Sequence, residues 1–333
     1  MLSGCGNETL QSIFQQPTTL DTSLTLVRAD HVLNGANINV RPYNGTLGGP
    51  TLRCRPGDRL RVNVINQLPA NPDQGMVIDD HNVPHHFNST NLHTHGLHVS
   101  PQGNSDNVFV DIQPGQSFQY EYQIPANHPA GTFWYHPHKH GSSSMQLFSG
   151  MAGALIIEGD IDLVPEIAAA RDLVYLITEF NLSGGDVPAF VGASFPLNQR
   201  TLAVNGVFQP TLQAFSGEVV RLRVINGTVR TNIPFAVEGH DLNIISFDGL
   251  TLPNVRQAGS TLTAPGNRVD ILVQAGAPGL YEIRKLVDNS NNAPDAQLVL
   301  GFLEVLPTVV NMSLPGALPV TVQSRPTELC RDR

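Results

Sequence analysis

Histidines at an alternating spacing are the residues of this chain best placed to do chemistry. Ten of its twelve histidines lie within one stretch, residues 81–140. Four of them form two pairs in which histidine recurs after one intervening residue, and these pairs are His93 with His95 and His136 with His138. In an extended strand, side chains at positions i and i+2 point to the same face. Each pair is therefore predicted to present two imidazoles to one place.

Two such pairs predict a metal site, but they do not choose the metal. Neutral imidazole is the commonest metal ligand and suits zinc, copper, iron and nickel. A zinc hydrolase would need an activating carboxylate at a fixed spacing, as in His-Glu-X-X-His, and the sequence contains no such motif. Hydrolases built on (β/α)₈ barrels would need long amphipathic helices between strands, which this sequence does not predict.

The other histidines are weaker candidates. His140 continues the alternation of His136 and His138, but Gly141 follows it and predicts that the chain is already turning. Four more are predicted to be loop residues or residues that support the ligands, namely His81, His85, His86 and His98. The remaining three are interpreted as ordinary packing or surface residues, namely His31, His128 and His240.

Composition predicts an all-β protein of about two domains at the usual ~150 residues each. Only 14% of the 333 residues are charged, while 30 are glycine and 25 are proline. Short segments rich in Val, Ile, Thr and Phe separated by turn residues are typical of β proteins. The net charge of −9 argues against nucleic-acid binding. The longest apolar run, residues 151–157, has the length of a strand rather than of a membrane span.

An internal repeat divides the chain. Residues 209–226 match residues 49–66 at a fixed offset of 160 positions. The shared residues are Pro50, Thr51, Leu52, Gly57, Arg61, Val64, Ile65 and Asn66 in the first copy, and Pro210, Thr211, Leu212, Gly217, Arg221, Val224, Ile225 and Asn226 in the second. A repeat of this length indicates two copies of one domain. We predict domains at residues 1–163 and 164–310, followed by a linker at 311–333.

The second copy serves as an internal control for the histidines. It repeats the strand pattern, yet it has no His-X-His pair, and Glu282-Ile-Arg stands where the first copy has the cluster around His136. The fold therefore does not need these histidines, and the first copy carries them for another reason.

At this point the residues resemble a known family. His93-Thr-His-Gly96 and Trp134-Tyr-His-Pro-His138 are similar to the first two copper motifs of the multicopper oxidases, which include laccases, copper-efflux oxidases and bilirubin oxidases. The resemblance covers nearly the whole chain, because the duplicated domain is similar to the first two domains of the three-domain members. It implies an all-β fold of two tandem cupredoxin-like Greek-key β-sandwich domains.

The resemblance also implies a function and a set of ligands. His93 would bind the type 2 copper, and His95, His136 and His138 would bind the type 3 pair. This trinuclear cluster reduces O₂ to water with electrons from a small-molecule or metal-ion reductant, such as a phenol. Asp106 matches the family's acidic residue that supports proton delivery. An Asp in a Gly/Asn/Ser loop is also a common turn residue, so a purely structural role stays open.

One part of the family pattern is missing from these 333 residues. The type 1 copper site needs a His₂Cys arrangement, and no His-Cys-His motif occurs in the sequence. We therefore expect the chain to be the N-terminal part of a three-domain member. The linker at 311–333 would lead to a third domain, or an oligomer partner would complete the cluster. The alternative is a non-catalytic, copper-binding or structural cupredoxin protein.

The cysteines bear on localisation. Three cysteines cannot form a disulfide framework, and we interpret Cys54 as a packing residue. Leu2-Ser-Gly-Cys5 resembles the lipobox at which bacterial lipoprotein precursors are cleaved and acylated, although the basic and apolar regions that precede a lipobox are not in the sequence. It predicts export to the periplasm or cell surface, with a possible lipid anchor at Cys5.

Overall fold

A computed structural model describes residues 16–73, 85–181, 200–288 and 296–319. The predicted all-β class is confirmed, since strands dominate and the helical segments in the described ranges have six residues or fewer. The first group of strands is β1 (Thr19–Leu26), β2 (Ala29–Leu33), β3 (Ala36–Val40), β4 (Leu52–Cys54), β5 (Arg59–Asn66), β6 (His93–His95), β7 (Ser117–Gln123), β8 (Gly131–His136) and β9 (Gly153–Ile157).

The second group of strands follows two short helices and a 3₁₀ turn, which are α1 (Ser143–Phe148), the turn Asp160–Leu163 and α2 (Pro165–Ala169). Its members are β10 (Arg171–Asn181), β11 (Arg200–Val204), β12 (Thr211–Ser216), β13 (Val219–Asn226), β14 (Ile233–Val237), β15 (Leu242–Phe247), β16 (Leu250–Ala258), β17 (Thr261–Thr263), β18 (Arg268–Gln274), β19 (Gly279–Lys285) and β20 (Leu298–Val309). The predicted boundary at residue 163 lies in the connection between the two groups.

The first group forms two sheets, with strand orders β1-β5-β7 and β4-β9-β8-β6, beside the hairpin β2-β3. The alternation in β5 explains how one sheet covers the core. Leu60, Val62 and Val64 are fully buried, whereas Arg61 and Asn63, which alternate with them in sequence, are only partly buried. Their side chains pack with Tyr120 of β7 and with residues of the other sheet in one apolar cluster.

The second group repeats this arrangement with more strands. Its sheets have the orders β11-β10-β13-β18-β15-β16 and β12-β20-β19-β14-β17. β5 and β13 lie in the two matched sequence segments, and we call each of them the repeat strand. In both groups the first strand pairs in parallel with the repeat strand, β1 with β5 and β10 with β13. The repeat strand then pairs antiparallel with β7 or β18. The two matched sequence segments therefore occupy equivalent places in the two sandwiches.

The shared asparagine at the end of each repeat strand makes equivalent hydrogen bonds in the two copies. The amide Nδ2 of Asn66 donates to the carbonyl oxygens of Asn88 and Ile112, and its Oδ1 accepts the N–H of Leu68. Asn226 does the same in the second copy, donating to two carbonyl oxygens and accepting the N–H of Thr228. Both asparagines are fully buried, so these bonds satisfy backbone groups that water cannot reach.

A buried ionic network joins the two sandwiches. Asp270 of β18 is fully buried and contacts the guanidinium groups of Arg221 and Arg223 at 2.6 and 3.3 Å. Thr132 of β8, in the first sandwich, donates its hydroxyl to Asp270 at 2.5 Å. Arg61, the first-copy equivalent of Arg221, instead lies near the surface and pairs with Asp21. The position occupied by Arg61 and Arg221 is thus near the surface in the first copy and at the interface in the second.

The described end of the chain packs back onto this junction. Residues 310–319 contain no strand, and they stay in contact with the rest of the protein. Met312, Leu314 and Leu318 pack in an apolar cluster with Ile161 and Val219. Residues 320–333, including Cys330, lie outside the described part of the chain, as does Cys5. No helix in the described residues is long and apolar enough to cross a membrane.

Candidate metal centre

β6 and β8 are neighbouring antiparallel strands, and their register places the two histidine pairs side by side. His93 lies opposite His136, and His95 lies opposite Trp134. The ring centroid of His93 is 5.6 Å from that of His95, 5.2 Å from that of His136 and 5.3 Å from that of His138. The structure therefore brings all four predicted imidazoles together, with His93 in the middle.

His95 and His136 make the closest approach between ligand atoms. Nδ1 of His95 lies 3.2 Å from Nε2 of His136. Metal–imidazole bonds are about 2 Å long, so two nitrogens at this separation can share one ion at a bond angle of about 100°. In the described part of the chain, His93, His95 and His136 form the group whose ligand atoms all lie within 4.8 Å of one another. The indole of Trp134 stacks on His136 and restrains its ring.

A backbone carbonyl fixes the tautomer of His136. Its Nδ1 lies 2.9 Å from the carbonyl oxygen of Pro137, which can only accept, so Nδ1 carries the proton. Nε2 therefore keeps its lone pair and directs it toward His95. In the metal-free protein the Nδ1–H of His95 donates to this lone pair. If His95 is to bind an ion through Nδ1, that proton must move to its own Nε2.

His93 is oriented by a carboxylate. Its Nδ1–H donates to Asp106, whose two oxygens lie 3.1 and 3.0 Å away. Asp106 also accepts the backbone N–H of Thr94 at 2.8 Å. These bonds leave Nε2 of His93 free to bind a metal, and a carboxylate behind a ligating imidazole strengthens it as a ligand. The structure thus places Asp106 in direct contact with His93 rather than in an open loop.

His138 lies two residues beyond the end of β8 and has an exposed side chain. Its backbone N–H donates to Oδ1 of Asn91 at 2.6 Å. Asn91 is fully buried and donates its own amide to the carbonyl oxygen of Val108, also at 2.6 Å. Asn91 therefore joins the strand that carries His93 to the segment that carries His138.

Burial keeps two of the imidazoles neutral. Burial, with the neighbouring Arg268 cation adding to its effect, lowers the pKa of His95 to about 4. Burial likewise holds the pKa of His136 well below its usual value, with His93 adding to the effect. At neutral pH both rings are therefore uncharged and able to bind a metal.

The second sandwich covers one side of the site. Arg268 of β18 donates to the carbonyl oxygens of Thr132, Gly266 and Asp248, at 3.2, 2.8 and 3.0 Å. Gly96, the residue after the first histidine pair, has a φ of 88°, and a Cβ there would lie 2.5 Å from Nη2 of Arg268. The glycine in His-Thr-His-Gly therefore makes room for a cation from the other sandwich.

The remaining histidines in the described part of the chain take no part in this site. His128 is buried, donates to the carbonyl oxygen of Pro129 and accepts the backbone N–H of His98. His240 accepts the N–H of Gly276, and His31 lies in β2. A separate group of three histidines lies near the turn after β8, namely His85, His86 and His140. His81 lies outside the described residues.

Sequence inspection missed Asn91 and Arg268. Asn91 directly precedes the first motif, so its position was a usable signal. Arg268 lies 173 residues after His95 in the sequence, and only the packing of two sandwiches brings it near. No local pattern could have identified it.

Comparison with known families gives two matches along the chain. Residues 28–161 and residues 181–306 each match a family model described as multicopper oxidase. A multicopper oxidase of Staphylococcus haemolyticus is 27% identical over 262 residues, which cover 75% of this chain and 52% of that protein. Laccase-1 of Thanatephorus cucumeris is 27% identical over 311 residues, covering 86% and 50%. The chain thus spans about half the length of these curated relatives.

Solved structures show the same fold. The multi-copper oxidase from Pseudomonas thermotolerans superposes with a TM-score of 0.70 at 25% identity, covering 93% of this chain and 69% of that one. A blue copper oxidase from Nitrosomonas europaea gives a TM-score of 0.68 at 23% identity, covering 86% of each chain. The second likeness concerns the fold alone.

Proposed function

This chain belongs to the multicopper oxidase family, and we propose that it forms the histidine-bearing part of an oxidase. The reaction would couple oxidation of a phenolic or metal-ion reductant to the reduction of O₂ to water. The observation that carries the proposal is the convergence of four imidazoles from β6 and the end of β8 on one place. The second sandwich has the same strands without these histidines, so the site is an addition to the fold.

The donor set fits copper. All four candidate ligands are imidazoles, and copper(II) binds nitrogen ligands more tightly than the other divalent first-row metals do. The approach of His95 Nδ1 to His136 Nε2 supports their sharing one ion. We assign His95, His136 and His138 to the type 3 pair and His93 to the type 2 copper.

Copper bound here would supply the one-electron redox chemistry that O₂ reduction requires. The protein's own contribution is to hold the ligands in place before the metal arrives. Asp106 fixes His93, the Pro137 carbonyl fixes His136, and Asn91 fixes the backbone at His138. Preorganised ligands of this kind need little rearrangement on binding.

We assign Asp106 two roles. It positions His93, as its hydrogen bonds indicate, and it supports proton delivery. Reduction of one O₂ to two waters takes up four protons. An ionised carboxylate has about four lone-pair sites, and the bonds from His93 and Thr94 leave some of them available.

Four imidazoles form half of the family's trinuclear ligand set. We propose that the other ligands, and the type 1 copper through which electrons enter, come from a further cupredoxin domain or from a second chain. The described surface near His138 is exposed, so an additional domain has access to the site.

We also propose that the protein is exported to the periplasm or cell surface. This proposal rests on the lipobox-like segment ending at Cys5. Labelling of cells with a radioactive fatty acid tests the lipid anchor, because Cys5→Ser should abolish incorporation. Label retained in the variant would rule the anchor out.

Copper loading combined with oxygen uptake tests the proposed function. We expect the native chain to retain copper, and the His136→Ala variant to lose part of it. Oxygen uptake with a phenolic reductant should appear when a type 1 copper domain is supplied by a longer version of the chain. Retained copper without oxygen uptake in that longer protein would favour the non-catalytic, copper-binding alternative. Preference for zinc over copper would overturn both.

A further inference from the structure

The structure points to a second metal site, built from histidines that the proposed oxidase site does not use. We propose that His85, His86 and His140 bind a late first-row divalent ion, copper(II) above all. We call these three residues the outer histidine cluster. The ring centroid of His85 lies 5.0 Å from that of His86 and 6.4 Å from that of His140.

These distances resemble those of the first site. In that site, the ring pairs that lie in close contact have centroids between 5.2 and 6.3 Å apart. An imidazole nitrogen bound at about 2 Å places the ring centroid roughly 3 Å from the ion. Two rings on one ion can therefore have centroids up to about 6 Å apart. His85 and His86 lie within this limit, whereas His85 and His140 must move closer together when an ion binds. Without an ion, the ligand atoms of the outer cluster are not all within 4.8 Å of one another. The side chain of His140 is exposed and lies outside the packed core.

The backbone holds two of the three histidine segments together. The N–H of His85 donates to the carbonyl oxygen of Gly141 at 2.9 Å. Gly141 has a φ of 84°, and a Cβ there would lie 2.4 Å from the His85 ring. The ring therefore lies directly over the glycine that follows His140. The turn itself is closed, because the N–H groups of Ser142 and Ser143 both donate to the carbonyl oxygen of Lys139.

The carboxylate of Asp73 lies beside the cluster and has one oxygen that a cation could pair with. Oδ2 of Asp73 accepts the backbone N–H of His86 at 2.7 Å. The other oxygen, Oδ1, is buried and has no hydrogen-bond partner among the described residues. A buried carboxylate oxygen without a partner is costly, and a nearby cation compensates for it.

His86 also has a strained backbone. Its φ of 51° lies in the left-handed region, which residues with a Cβ seldom adopt. Such strain occurs at ligand-binding positions, where the surrounding structure maintains it. Here the strain holds His86 next to His85 and against Asp73. Three imidazoles and a carboxylate are ligands that copper(II), nickel(II) and zinc(II) accept, and copper(II) stands highest in affinity.

This inference does not depend on the proposed oxidase function, and the experiment separates the two. Equilibrium dialysis of the metal-free chain against copper(II) counts the ions bound per chain. We expect the His86→Asn/His140→Asn variant to bind one copper fewer than the native chain. Asparagine tolerates the left-handed conformation at position 86, so the backbone should be retained. His31→Asn, which removes a histidine from β2, is the matched control and should leave the count unchanged.

A second background distinguishes the outer cluster from the first site. The His95→Ala/His136→Ala variant should lose copper from the proposed oxidase site and still bind the outer equivalent. Pulsed electron paramagnetic resonance on that variant should show imidazole nitrogen coupling, which disappears when His86→Asn and His140→Asn are added. If the double variant fails to fold by circular dichroism, His140→Asn alone should weaken the outer equivalent by about tenfold or more. An unchanged copper count in folded His86→Asn/His140→Asn would overturn the proposal.

Discussion

The imidazoles of His93 and His136 are each oriented by a hydrogen bond from Nδ1–H, but the acceptors differ. A carboxylate of Asp106 holds Nδ1–H of His93, and a backbone carbonyl of Pro137 holds Nδ1–H of His136. Each bond fixes a tautomer and leaves Nε2 as the ligand atom. The Asp106 carboxylate is charged and the Pro137 carbonyl is neutral. Replacing the carboxylate with a neutral group should therefore weaken the hydrogen bond to His93.

Asp106→Asn tests the charge on this contact. The amide still offers an oxygen to His93, but it accepts a weaker hydrogen bond and makes Nε2 less basic. We expect copper affinity to fall by about 10- to 100-fold, measured by competition with a chelator. Asp111→Asn, which removes a carboxylate that pairs with Lys139, should change the affinity little. Equal affinities in the native and Asp106→Asn proteins would show that Asp106 is only a turn residue.

His128 should make the metal-free protein sensitive to acid. Burial lowers the pKa of His128 to about 4 from about 6.5, so the unfolded chain binds a proton more readily than the folded one. Stability is therefore complete above pH 6.5 and falls as the pH drops toward 4, with a loss of about 2 kcal/mol by pH 5 from this residue.

Urea unfolding at a series of pH values measures this effect. The side chain in the His128→Gln variant cannot titrate, so its free energy of unfolding should fall less between pH 6.5 and pH 4. At pH 7 the variant should have a lower free energy of unfolding than the native protein. A parallel fall in both proteins would assign the acid sensitivity to other groups, such as His136.

At the residue scale the sequence predicted the four histidines because alternation is a local property of a strand. It left the role of Asp106 open, since a carboxylate in a loop has many possible partners. The distance from Asp106 to His93 depends on how the loop between β6 and β7 folds, and no spacing rule gives it.

Among the elements, β6 and β8 form the site because their register sets His93 opposite His136. β6 has only three residues, and it ends where Gly96 takes a left-handed conformation. That glycine allows the guanidinium of Arg268 to approach β6. A side chain at position 96 would press on the cation and, through it, on the contact between the sandwiches.

Gly96→Ala should therefore cost more than the backbone strain alone. The left-handed φ accounts for about 1–2 kcal/mol, and displacement of Arg268 adds about 1–3 kcal/mol. Gly115→Ala is the matched control, because Gly115 has a similar φ of 84° and nothing within 4 Å of an added Cβ. Denaturant unfolding compares the two. Equal losses of stability would mean that Arg268 yields without cost.

Strand patterns predicted the alternating β5 but did not predict that its equivalent β13 would be buried throughout. Both strands contain arginines, which usually indicate a solvent-facing side. In β13 the arginines can be buried because Asp270, Asp162 and Asp172 pair with them at the junction. Sequence alone does not show which copy's outer face becomes an interface.

For the whole molecule, the first sandwich helps to cover charged groups of the second sandwich at the junction between them. Asp270 lies between Arg221, Arg223 and Thr132, and the described tail from Met312 covers the edge of the same junction. The internal repeat predicted two similar units. It could not predict their relative placement, because a shared residue such as Arg61 and Arg221 lies near the surface in one copy and at the junction in the other.

Asp270→Asn should destabilise the junction. It leaves two buried guanidinium groups with less compensating charge, and breaking a buried pair in this way costs about 3–5 kcal/mol. Thermal unfolding followed by calorimetry measures the loss. Asp241→Asn, at an exposed position, should shift the melting temperature little. If Asp270→Asn shifted the melting temperature as little as Asp241→Asn does, the ionic network would add nothing to the stability of the junction.

Crystals of the copper-loaded chain, measured above and below the copper absorption edge, will show whether copper binds among His93, His95, His136 and His138. We predict an anomalous difference peak between Nδ1 of His95 and Nε2 of His136, with neighbouring density at Nε2 of His93. Ordered copper elsewhere in the crystal, with no anomalous peak beside these imidazoles, would contradict this prediction.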